Sequence, residues 1–178
     1  MITADPIAAG AAALNEAKAY LRIGFSEEDA LLDRLLASSL ELCERFTGQV
    51  VLVRSFEETL PASSAWTRLS RLPVRAISAV EAVVNGAAAA LGTSDYAIDI
   101  DAGGHGWVRV LAPQTAKTIR VTYSAGLGEG WETVPEPLRQ GIIRLASHLY
   151  THRSGGEDAA PPAAVSALWR PYRRMRLG

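Results

Sequence analysis

The hydrophobic period of this chain changes twice, and that double switch limits its fold more than any other feature. Over residues 14–46 apolar side chains recur at three- and four-residue spacing. Over 50–123 the pattern is one of short strands, and after Trp131 the helical spacing returns. A chain ordered in this way is α+β, with helices that pack together and a β part inserted between them.

The first helix is expected over 14–23, with Leu14, Ala17 and Leu21 on one stripe and Gly24 as its stop. Ser26 then precedes Glu27, Glu28 and Asp29, an N-cap with acids at the positive end of the helix dipole. The second helix should run to about Phe46, aligning Leu32, Leu36, Cys43 and Phe46, with Leu35 and Leu40 beside them. Gly48 follows at a left-handed C-terminal position. Strand-like segments follow at 50–56, 66–72, 77–84, 96–100, 107–111 and 118–123. Asn85-Gly86 marks a tight hairpin, Gly103–Gly106 a looser turn, and Pro73 and Pro113 strand starts or edges. After the glycines at 126, 128 and 130, read as a flexible connection, Thr133 and Glu136 have capping-box spacing. Leu138, Ile142, Leu145 and Leu149 then form one helical stripe ending near Arg153.

The expected organisation is a single domain. Two N-terminal helices (14–48) and one C-terminal helix (133–153) form a small bundle. An antiparallel sheet or sandwich (49–128) is inserted between them. A linker (154–162) leads to an extended C-terminal arm (163–178) that opens with a short helix at 163–169. The stripes Leu32, Leu36, Cys43, Phe46 and Leu138, Ile142, Leu145, Leu149 should face each other as the core.

Composition removes several classes. With 48% hydrophobic and 21% charged residues, the chain is not disordered over most of its length. No apolar run approaches the roughly 18 residues of a membrane span, and the alanine-rich start lacks the basic region of a signal peptide. One cysteine allows no intrachain disulfide, which fits synthesis in a cytoplasm. The net charge of −1 argues against a general nucleic-acid binder. It hides an asymmetry, however: eight acids against four bases in residues 1–48, and four arginines with no acid in 165–178. Such a distribution fits end-to-end contacts between subunits or partners.

Signatures of chemistry are weak. His148 and His152 have the spacing of two zinc ligands but no third ligand nearby, and are read as boundary residues. Asp99 and Asp101 partly match a calcium loop, yet Val110 stands where the bidentate glutamate belongs. The glycines at 126–130 do not make a dinucleotide fingerprint. Cys43 is read as core, and Glu27-Glu28 and Glu57-Glu58 as solvated faces. The expectation is a protein that is not an enzyme and needs no metal or cofactor. The unusual region is the tail, where Trp169, Arg170, Tyr172, Arg173, Arg174, Met175, Arg176 and Leu177 combine guanidinium groups with aromatic and apolar surface, as interfaces do. A nucleic-acid-binding accessory protein acting through this tail is the alternative reading.

Many short matches carry a family resemblance. They are Glu16-Ala17-Lys18-Ala19-Tyr20-Leu21-Arg22-Ile23, then Asp29-Ala30-Leu31-Leu32-Asp33-Arg34-Leu35-Leu36, then Thr47-Gly48. Further on come Leu72-Pro73-Val74 with Ile77-Ser78-Ala79-Val80, and Tyr123-Ser124-Ala125-Gly126. Val134-Pro135-Glu136-Pro137-Leu138-Arg139-Gln140 with His148-Leu149-Tyr150 and Arg153 matches best. In this order they resemble the phage head–tail connector (adaptor) family of long-tailed phages and phage-like gene transfer agents, over residues 14–177. The first dozen residues match nothing in it.

The resemblance implies a structural virion protein, assembled in the host cytoplasm and located at the head–tail interface. It implies a homo-oligomeric ring, of about twelve subunits, beneath the portal protein, with a tail-side stopper or completion protein as the other partner. DNA would pass through the lumen without specific recognition, and no membrane is involved. Residues 169–177 would be the portal-docking arm. A closed ring needs two different complementary faces on each subunit, which the acidic and basic segments could supply.

Overall fold

The computed structural model describes residues 1–111, 116–152 and 162–174. The α+β expectation holds: helices and antiparallel sheets make up the protein. They form two compact units, one of Pro6–Leu52 with Leu127–Gly178, the other of Met1–Asp5 with Val53–Gly126.

The first unit is helical. It contains α1 (Gly10–Leu21), α2 (Asp29–Thr47), a 3-10 turn (Trp131–Thr133), α3 (Glu136–Thr151), α4 (Ala163–Trp169) and a second 3-10 turn (Arg170–Tyr172). α1 begins before Leu14 and buries Ala13 and Ala17, while Leu14 and Leu21 are half-buried. It ends because Arg22 enters the left-handed region at φ 58°, its amide donating to the Ala19 carbonyl; Gly24 is not the stop. Ser26 does not cap α2 with its side chain. Its carbonyl accepts from the Asp29 amide at 3.1 Å, and the helix starts without a side-chain cap. Gly48 closes α2 at φ 71°, where a side chain would be strained, and donates to the Glu44 carbonyl at 2.8 Å.

The capping-box reading of Thr133 and Glu136 is corrected. The Thr133 hydroxyl bonds the Gly130 carbonyl at 2.8 Å and accepts from the Gly130 amide, so it closes the 3-10 turn. Pro135 precedes α3, and Glu136 accepts from Arg139 and Gln140. Nor is the glycine connection loose: the amides of Leu127 and Gly128 donate to the Val50 and Val51 carbonyls. Those carbonyls are therefore engaged outside any sheet, which is why the strand expected at 50–56 begins only at Arg54.

Of the expected core, Leu32, Leu36, Cys43, Leu138, Ile142 and Leu145 are buried, and Phe46 and Leu149 are half-buried. Sequence reasoning missed Trp131, Val134, Val165 and Trp169, which complete this core. Burial pushes the Cys43 thiol pKa up, so the group is an inert core residue.

The second unit holds β1 (Ile2–Ala4), β2 (Arg54–Pro61), β3 (Thr67–Arg68), β4 (Val74–Val84), β5 (Ala87–Ala90), β6 (Tyr96–Ile100), β7 (Gly106–Val110) and β8 (Thr118–Ala125). Five form a sheet in the order β1-β2-β8-β4-β5, and three form another in the order β3-β7-β6, all antiparallel. β1 and β5 were not anticipated; three residues and an all-alanine run carry no alternation to detect. The segment expected as a strand over 66–72 is reduced to β3. Asn85 (φ 50°) and Gly86 (φ 83°) make the hairpin turn between β4 and β5, both central residues left-handed as a type I′ turn requires. Pro113 lies outside the described residues.

Two carboxylates fix this unit. Glu58, expected on a solvated face, is 4% exposed. It accepts from the Tyr123 hydroxyl at 2.9 Å, the Ser70 amide at 2.9 Å and the Ser70 hydroxyl. Tyr123 also stacks on Phe56 across the β2–β8 register, with centroids 5.6 Å apart. Asp101 closes the Gly103–Gly106 turn, which is thus not loose. Its carboxylate accepts from the amides of Gly103 (2.8 Å) and His105 (3.0 Å) and from the Trp107 indole (3.0 Å).

Leu145→Ala should destabilise the protein by about 2–5 kcal/mol in denaturant titration, the range for truncating a buried leucine. A loss below ~0.5 kcal/mol would be the behaviour of a surface site and would contradict the core placement. The His105 amide, then the Trp107 indole, hold the Asp101 pKa at about 2, below the ordinary 3.8. A depressed carboxylate stabilises the turn fully above its unfolded value and loses that contribution as pH falls through the folded one. The Asp101 carboxyl carbon and the Trp107 indole proton should therefore titrate together near pH 2 by NMR. A midpoint near 4 would show that the turn does not hold the carboxylate.

Candidate functional site

The arginine- and aromatic-rich tail was the only region whose composition pointed to a contact, so its placement decides how much of it is free to make one. α4 packs on α3, and Trp169 is fully buried. Its indole lies over Gly141: a Cβ at that glycine would come within 2.0 Å of Trp169 Nε1, so only glycine leaves room. The indole N–H donates to the Leu138 carbonyl at 3.4 Å, and the ring meets Phe46 of α2 at a centroid distance of 5.9 Å, tilted by 56°. Trp169 is a core residue in this structure, which corrects its expected place on a separable docking arm. The signal that could have found this is Gly141, a helix-weakening residue in the middle of an otherwise strong helical stripe.

After Trp169 the chain turns over the C-terminal end of α2. Gln49 Nε2 donates to the Tyr172 carbonyl at 2.5 Å, and the Arg174 amide donates to the Thr47 carbonyl at 2.8 Å. The Arg173 guanidinium sits 5.8 Å from the centre of the Phe46 ring. Tyr172 is half-buried, while Arg170, Arg173 and Arg174 are exposed. Arg173 and Arg174 thus stand at the negative end of the α2 dipole, where positive charge is favourable. Arg45, in the last turn of α2, adds a third, paired with Glu41 at 2.6 Å. Met175, Arg176, Leu177 and the expected linker up to 161 lie outside the described residues.

This arrangement offers hydrogen-bond donors and positive charge on a rigid helical end, chemistry suited to carboxylates or carbonyls of another protein. His148 and His152 stack on each other with centroids 4.2 Å apart. Among the described residues no group of three or more His, Cys, Asp or Glu side chains is placed to hold a metal ion.

No protein-family model matches the chain, and no curated protein does. Solved structures do match. A chain in the neck of an empty gene transfer agent (GTA) particle, computed with C6 symmetry, superposes with a TM-score of 0.80 at 24% identity, over 99% of this chain and 97% of that one. The fold is one found in a GTA neck. A chain in the virion of a native GTA particle gives 0.77 at 22% identity, and one in a native GTA neck computed with C12 symmetry gives 0.75 at 24%. Both cover 99% of this chain and 97% of their own. The likeness thus runs through both units and includes the C-terminal segment.

The burial of Trp169 generates a direct test. Trp169→Ala should cost about 3–5 kcal/mol of stability, as large aromatic truncations in cores do. A variant with wild-type denaturation midpoint would mean that the indole is a surface group.

Proposed function

We propose that this chain is a structural protein of a virion neck, a head–tail adaptor that forms a ring under the portal and joins the DNA-filled head to the tail. The observation that carries this reading is the end-to-end likeness to neck chains: the fold agrees over 99% of this chain and 97% of theirs at TM-scores of 0.75–0.80. Those necks were computed with C6 and C12 symmetry, and a ring of about twelve copies accords with either.

In this role the exposed Arg170, Arg173 and Arg174 face acceptors on the portal, and Met175, Arg176 and Leu177 extend the contact. Tyr172 and Trp169 act from behind, fixing the backbone from which the arginines project. Fixing it before contact lowers the ordering cost of docking, an advantage over a free arm. DNA passes through the lumen of the ring without being read. A chain of net charge −1 suits such a conduit, because a strongly cationic lumen would hold phosphate and slow its passage. A tail-side completion protein occupies the other end.

The experiment is to produce particles in cells that express Arg170→Glu/Arg173→Glu/Arg174→Glu in place of the wild-type chain. The variant protein should still fold, since these side chains are exposed, with a loss of about 0.3–1 kcal/mol for each glutamate placed at the negative end of α2. The particles should be DNA-filled heads without tails. Normally tailed particles would remove portal docking from these arginines, and normal particles in the complete absence of the protein would remove the neck function itself.

A further inference from the structure

Acidic side chains cluster at the N-terminal end of α3, and an exposed arginine, Arg144, stands near its middle. At the N-terminal end stand Glu16, Glu129, Glu132 and Glu136 with one base, Arg139, which feels Glu136, Glu16 and Glu132. Glu16 accepts from the Trp131 indole at 2.6 Å, and Glu136 is engaged by Arg139 and Gln140. Glu129 and Glu132 are exposed; Glu132 lies within the electrostatic reach of Arg139, and Glu129 makes no hydrogen bond or ion pair among the described residues.

Toward its C-terminal end α3 forms, with α1 and α4, a groove of about 320 Å³. Tyr20, Leu21, Arg144, Ser147, His148 and Val165 line it, and no Asp or Glu does among the described residues. Arg144 is exposed and makes no ion pair there among the described residues. The Ser147 hydroxyl is buried in a residue only 5% exposed and has no hydrogen-bond partner among the described residues. Buried hydroxyls are nearly always bonded, so an orphan one in the wall of a groove that also carries Arg144 is a donor without its acceptor.

Glu136 and Arg144 are eight residues apart on α3, about 12 Å along its axis at 1.5 Å per residue. Glu129 and Glu132 lie beyond Glu136, so the acidic turn of one copy cannot fill its own groove. Yet one chain supplies both halves of a complementary pair. We propose that the groove receives the acidic turn 128–132 of a second copy, with Glu129 or Glu132 against Arg144 and the Ser147 hydroxyl. Because the two surfaces differ, the contact is head-to-tail, the kind that generates a ring when its rotation closes. The proposal rests on the neck-ring reading and names the subunit contact within it.

A charge swap tests it. Sedimentation velocity of the purified full chain at low salt should show concentration-dependent self-association, weakened by added salt. Arg144→Glu and Glu132→Arg should each weaken it by about tenfold or more, as loss of a close interfacial charge pair does. The double variant, in which the pair is restored with reversed sign, should recover most of the loss. If Glu132→Arg fails to fold because Arg139 loses a neighbouring carboxylate, Glu129→Arg takes its place. A wild-type chain that stays monomeric up to about 1 mM would overturn the contact, since even a 1 mM dissociation constant would show there. Single variants that associate normally, or a double variant no better than the singles, would also overturn it. Portal attachment is scored separately in particles, so failure of this contact and failure of the neck reading give different results.

Discussion

Trp169 resting on Gly141 is the contact on which the helical unit depends. α3 lies between its neighbours, and the missing side chain at Gly141 lets a full indole reach the helix backbone from α4. The same ring touches Phe46, so one residue ties α4 to both α2 and α3. Everything C-terminal to it inherits that position. The Tyr172 carbonyl and Arg174 amide are held by Gln49 and by the Thr47 carbonyl, and the arginines between and beside them are exposed because their backbone is fixed. A tail rich in aromatics and arginines thus divides its labour: the aromatic group is spent inside and the guanidinium groups remain outside.

The β unit solves a different problem, holding many short strands in register with little apolar alternation. Buried Glu58 links the β2 strand to Ser70 and, through the Tyr123 hydroxyl, to β8. A buried carboxylate costs solvation, and three donors offset that cost while making any slipped register leave the charge unpaired. Asp101 does the corresponding work at the β6–β7 turn. Both units therefore place polar groups where they specify geometry, while Arg170, Arg173 and Arg174 of the helical unit stay exposed.

Much of this was legible in the sequence because periodicity reports burial. The stripes through α2 and α3, the Asn85-Gly86 hairpin and the Gly48 stop all follow from local chemistry and appear as expected. What was not legible depended on tertiary partners. Trp169 reads as a surface anchor when only its arginine neighbours are considered, and the glycine that receives it lies 28 residues earlier. Glu58 looks solvated beside Glu57 until Ser70 and Tyr123 fold over it. β1 and β5 are strands because a neighbouring edge pairs them, not because their residues favour it. The groove beside Arg144 draws on three helices, and no spacing along the chain announces it.

The proposed role requires that this protein form a ring that joins head to tail by docking on a portal. The most direct test is electron microscopy of the purified protein mixed with its isolated portal. A symmetric ring of about twelve copies seated on one end of the portal is the result expected from the symmetry of the similar necks. Portals that remain bare beside well-folded protein, under conditions where heads still acquire tails, would contradict it.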